Sequence, residues 1–106
     1  MLKFNTRVTV PVTFSPSFAS TQGSVQVLAQ NELRASLTIQ NLAPASATTA
    51  YLYYSFGTDA GPNQGVALGP GKGVILDVVC PTGALFVYMD DATARPLTIM
   101  EISWVN

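Results

Sequence analysis

The run Asn31-Glu32-Leu33-Arg34-Ala35-Ser36-Leu37-Thr38-Ile39-Gln40-Asn41 decides how the rest of this chain is read. From Leu33 to Gln40 the odd positions are apolar and the even ones polar. An extended backbone therefore sends Leu33, Ala35, Leu37 and Ile39 to one face and Arg34, Ser36, Thr38 and Gln40 to the other. That is the pattern of a half-buried strand. Beyond a connection of small residues comes Tyr51-Leu52-Tyr53-Tyr54-Ser55-Phe56-Gly57, whose aromatic and aliphatic side chains suit a pleated surface and whose terminal glycine stops it. Together the two runs predict the centre of a β-sandwich.

Toward the N-terminus, Leu2, Phe4, Val8, Val10, Val12 and Phe14 occupy even positions, while Lys3, Asn5, Arg7, Thr9 and Thr13 occupy odd ones. This predicts one long strand over about residues 2–14. Pro11 donates no backbone hydrogen bond, which confines that strand to a sheet edge or bends it there. Residues 15–24 turn to Ser, Pro, Thr, Gln and Gly and read as a loop, although Phe18 within it needs an apolar resting place, in the core or on a partner. A short strand follows at 25–28.

Toward the C-terminus, Pro44 and a Thr pair argue against helix in the alanine-rich 42–50 segment, which reads as a loop. Further strands are expected at 65–68, 74–80, 84–89 and 96–105. The run Val74-Ile75-Leu76-Asp77-Val78-Val79-Cys80 is apolar enough to predict a strand with little exposed face. About eight short strands with turn signals between them predict one all-β domain over residues 1–106, an antiparallel sandwich of jelly-roll type.

Charged residues make up 10% of the chain, against roughly 25% in an ordinary soluble domain, so much of the surface must be neutral. Such a surface is often covered by a partner, which predicts self-association. The five basic residues are scattered, which argues against nucleic acid as a partner. There is no run of about 18 apolar residues and no apolar signal-peptide core, so the expectation is no membrane and a soluble chain made in the cytosol.

The sequence contains no histidine, which removes the usual base for a serine or cysteine nucleophile and the commonest metal ligand. Gly69-Pro70-Gly71-Lys72-Gly73 lacks the spacing of a phosphate loop and the Ser or Thr that would follow its lysine, and reads as a turn. Asp90-Asp91 reads as a solvated turn, with no ligand-loop spacing for calcium. Cys80 is the only cysteine and reads as a small buried hydrophobe. The expectation is no enzyme, no cofactor and no metal. Tyr51 and Tyr53 share one parity and Tyr54 and Phe56 the other, so aromatics face both sides of their sheet, and a sugar-stacking surface is an alternative.

In its order of features the chain resembles small tailed-bacteriophage virion proteins. The resemblance rests on Asn31, Arg34, Leu37, Ile39 and Asn41, then Tyr53, Phe56 and Gly57, then a Leu68, Pro70, Gly71 turn. A Gly-Ala-Leu-Phe-Val run at 83–87 and the closing Leu97, Ile99 and Glu101 complete it. It spans roughly residues 31–105. It implies a β-sandwich made in the host cytoplasm and located in the virion, either a decoration or cement protein outside the capsid shell or a head- or tail-fibre base. The partner would be a major capsid protein or another virion protein, and the matched positions would shape the fold, Arg34 by bonding into neighbouring loops. The N-terminal third lies outside the resemblance, which makes Leu2, Phe4, Val8, Val10, Val12, Phe14 and Phe18 the candidate partner interface. The alternative is a glycan- or receptor-binding module of a fibre or tail.

Overall fold

A computed structural model describes residues 11–105. Its strands are β1 (Val12–Phe14), β2 (Ser17–Phe18), β3 (Val25–Leu28), β4 (Arg34–Asn41), β5 (Tyr51–Phe56), β6 (Val66–Leu68), β7 (Gly73–Leu76), β8 (Leu85–Asp90) and β9 (Arg95–Ser103). One sheet has the order β1-β9-β4-β7, with β2 also on β9, and the other has the order β3-β8-β5-β6. All pairings between named strands are antiparallel. Strands β1 and β2 lie along β9 on either side of Ser15 and Pro16, so they act as one broken edge strand and bring the effective count to eight. The chain changes sheet at every later connection except the β5–β6 hairpin. That is the double-sheet plan of a jelly roll.

The core forms where the inward rows of the two sheets meet. Leu37 and Ile39 of β4 with Leu97 and Ile99 of β9 face Leu52 of β5 and Leu85, Val87 and Met89 of β8, and all are fully buried. Each such side chain contributes roughly 1.5–3 kcal/mol by leaving water. The alternation in β4 therefore has the energetic role its pattern implied, whereas β8 alternates buried Leu85, Val87 and Met89 with half-buried Phe86 and Tyr88. Tyr54 and Phe56 point into this layer and meet edge to face, with ring centroids 6.1 Å apart.

Three details depart from the sequence reading. First, the pairing of β4 with β9 slips between Arg34 and Ser36, so Ala35 is an extra residue and the parity of the strand changes there. Arg34, expected on the polar face with Ser36, turns inward and is 3% exposed. Second, β2 and a 3₁₀ turn at Ser20–Gln22 occupy the segment expected to be a plain loop. Third, β7 stops at Leu76, and Val78 and Val79 are 93% and 84% exposed, not part of a buried strand. Pairing with β4 covers only Gly73–Leu76, and hydrophobicity alone cannot hold a strand past its partner's register.

The turns follow local chemistry. The backbone N–H of Lys72 donates to the Gly69 carbonyl at 3.0 Å, with Pro70 second and Gly71 third at φ +77°, the arrangement of a type II turn. Gly65 enters β6 at φ +108°, and a Cβ there would lie 2.3 Å from the carbonyl oxygen of Tyr54. Gly65→Ala must therefore displace backbone in the β5–β6 hairpin. A loss of about 1–3 kcal/mol in urea unfolding is expected, and an unchanged midpoint would refute this account of the hairpin.

Candidate interaction surfaces

Polar chemistry inside the sandwich is committed to holding its ends together. At the start of β4 the Arg34 guanidinium is enclosed. Its Nε donates to Oε2 of Glu101 at 2.8 Å, one Nη to the carbonyls of Pro81 and Gly83 at 2.7 and 2.8 Å, and the other to Ala29 at 3.0 Å. One side chain thus joins β9 to the loops before β4 and before β8. Nearby, Asn31 accepts from the Leu33 N–H and donates to Oγ of Ser103. At the far end of β4 the buried Asn41 amide donates to the carbonyls of Ala50 and Leu68, and its oxygen accepts from the Ala43 N–H. The polar positions on which the virion-protein resemblance rests are therefore fold determinants, as that resemblance implied for Arg34.

Asp91 and Cys80 are shaped by their surroundings as well. Asp91 accepts from the Thr93 N–H and from Arg95, and these two contacts hold its carboxyl below the usual range. Cys80 packs against the core, and burial pushes its thiol up; Arg34 opposes this while Glu101 and Asp77 add to it. Alkylation of Cys80 at neutral pH is expected to be slower than that of an exposed peptide thiol, because less thiolate is present. Equal rates would contradict the placement. Among the described residues no three His, Cys, Asp or Glu side chains group as metal ligands.

What remains for a partner is surface, and the two sheets present different ones. The outward row of the first sheet runs Thr13, Met100, Thr38 and Ile75 across β1, β9, β4 and β7, flanked by Ser36 with Ile102 and by Gln40 with Thr98. None of the outward residues on its described strands is charged. The second sheet turns out Tyr51, Tyr53, Phe86 and Tyr88, with Asp90 opposite Tyr51 and Gln26 opposite Phe86. The Tyr53 and Tyr88 rings are 6.3 Å apart and tilted by 47°. Parity in β5 had foretold aromatics on both faces; Phe86 and Tyr88 join them because β8 pairs in register with β5.

The candidate interface residues divide. Val12 is 59% exposed on the edge strand β1, whereas Phe14 and Phe18 are partly buried against the chain's own core. Phe18 finds an apolar resting place against the chain's own core. Leu2, Phe4, Val8 and Val10 lie outside the described residues. Sequence reasoning missed the exposed Val78 and Val79, since an apolar run carries no mark of where its partner strand ends.

No protein-family model matches the chain, and no curated protein matches it. Among solved structures it is similar to a chain of the cyanophage Pam1 capsid asymmetric unit, at 11% identity over 94% of this chain and 84% of that one, with a TM-score of 0.43.

Proposed function

We propose that this protein is a structural component of a bacteriophage virion, a decoration or cement protein that binds the head shell through protein contacts and carries out no catalysis. The observation that carries the reading is the uncharged outer face of the β1-β9-β4-β7 sheet. Laying that face on another protein desolvates no ionised group, so its apolar and hydroxyl side chains can be buried at little electrostatic cost. The sequence resemblance to tailed-phage virion proteins supplies the particle. Many copies on one shell multiply modest single contacts where geometry lets them engage together. Gradient purification of particles from infected cells tests it: the chain is expected to sediment with capsids in a fixed ratio to the major capsid protein. Recovery at the top of the gradient alone would overturn the reading.

The outward Tyr51, Tyr53, Phe86 and Tyr88 favour a second reading, a glycan-binding module on a fibre or tail. Aromatic faces stack on sugar rings, and Asp90 and Gln26 could accept or donate at the rim. Under this reading Tyr53→Ala abolishes binding to host-surface glycans and leaves particle association unchanged. Under the first, no glycan binding is found.

A further inference from the structure

The three most exposed large apolar side chains among the described residues stand close together in the sequence. Ile75, Val78 and Val79 are 64%, 93% and 84% exposed. Ile75 ends the outward row of the uncharged sheet, on β7 opposite Thr38. Val78 and Val79 come just after β7 stops at Leu76, so the most exposed apolar pair directly follows the strand at the end of that face. Neither valine packs against the core, although Leu76 before them and Cys80 after them do. The fold therefore gives these two side chains no role, and polar replacements there should leave its stability nearly unchanged.

The loop that carries them is short and held at both ends. On one side Leu76 pairs with Leu37 of β4. On the other, Cys80 packs against the core, and Pro81 and Gly83 offer their carbonyls to the Arg34 guanidinium at 2.7 and 2.8 Å. The Thr82 carbonyl accepts from the Asn31 N–H at 2.8 Å. Only residues 77–79 lie free between these anchors. A contact made by such a loop loses little conformational freedom, which lets a small apolar patch bind well. Charge marks its flank. Asp77 is exposed and makes no ion pair, while Arg34 and Arg95 are already paired with Glu101 and Asp91. That leaves Lys72 against Glu32, Asp59, Asp77 and Asp90 among the described residues, an acidic balance that favours a partner with a basic side chain at the rim.

We infer that Val78 and Val79 anchor the contact with the head shell, entering an apolar recess of the shell protein that carries a basic side chain beside it for Asp77. Ile75 and the uncharged face then exclude water around that anchor. A few well-desolvated side chains carry most of the affinity of such an interface, and the neutral contacts around them supply fit. This deepens the proposed function and rests on it, assigning the contact to one corner of the sheet.

Binding of the purified full chain to capsids assembled without it tests this. The wild type is expected to bind saturably. Val78→Ser/Val79→Ser should raise Kd roughly a hundredfold, about tenfold for each valine kept out of an apolar recess, with an unchanged urea midpoint. Asp77→Lys leaves the valines in place and should weaken binding by about tenfold, less so at high salt. Val66→Ser removes a valine that is 53% exposed on the other sheet and should leave Kd unchanged. A serine variant that binds like the wild type, or no worse than Val66→Ser, overturns the inference and leaves the proposed function standing. Tighter binding by Asp77→Lys overturns the basic rim. Loss of self-association in the serine variant with capsid binding intact makes a second copy the occupant and overturns the inference as well. A wild type that binds no capsid overturns both the anchor and the proposed function.

Discussion

Arg34→Ala is expected to destabilise the protein by about 3–5 kcal/mol, out of a total that for domains of this size is roughly 5–15 kcal/mol. The guanidinium is enclosed, and removing it leaves the Glu101 carboxylate and the carbonyls of Ala29, Pro81 and Gly83 without their donor. Water can reach Glu101 in part, since its side chain is 16% exposed, but the carbonyls lie at a closed junction of two loops. Arg34→Lys should recover little, because one ammonium has three protons and no planar fork to span four acceptors. At about 4–8 °C per kcal/mol, the alanine variant should lose more than about 12 °C in melting temperature. A loss below about 1 kcal/mol in urea unfolding would mean that the junction does not depend on this side chain.

At the other end of β4, Asn41→Leu removes three hydrogen bonds at a fully buried site, and a cost of about 2–4 kcal/mol is expected. Asn41→Asp is the sharper variant. It keeps the shape but replaces the NH₂ group, which donates to the carbonyls of Ala50 and Leu68, with an oxygen that cannot donate when ionised. At neutral pH it should be worse than leucine, because a buried carboxylate would face two carbonyls. Its folded-state pKa must then be raised above the unfolded value. The stability of such a group is fullest below the unfolded pKa and falls as pH rises through the folded one, so the penalty should shrink on acidification toward pH about 4. Urea midpoints for wild type, Asn41→Leu and Asn41→Asp at two pH values test this. If the aspartate variant is no worse than leucine at neutral pH, the amide is not acting as the donor described.

The alternation of Leu37 and Ile39 in β4 was written in the sequence, because a side-chain period of two follows from the backbone alone; in β8 it was not, since Phe86 and Tyr88 are apolar like the Leu85, Val87 and Met89 they separate. Also written there were the turn at Gly69–Lys72 and the two faces of aromatics in β5. Where the candidate surfaces would lie was legible only in outline: scarce charge implied a neutral surface but could not say which face carried it. Tertiary pairing decided that, by setting Thr13, Met100, Thr38 and Ile75 in one row from four separate strands. It also decided that Arg34 turns inward, because the slip at Ala35 is fixed by β9 and by the loop carbonyls that receive the guanidinium, partners 5 to 67 residues away. The end of β7 at Leu76 and the exposure of Val78 and Val79 have the same origin. A strand lasts as long as its neighbour's register supplies hydrogen bonds, and that register is a property of the folded sheet, to which no local run of residues has access.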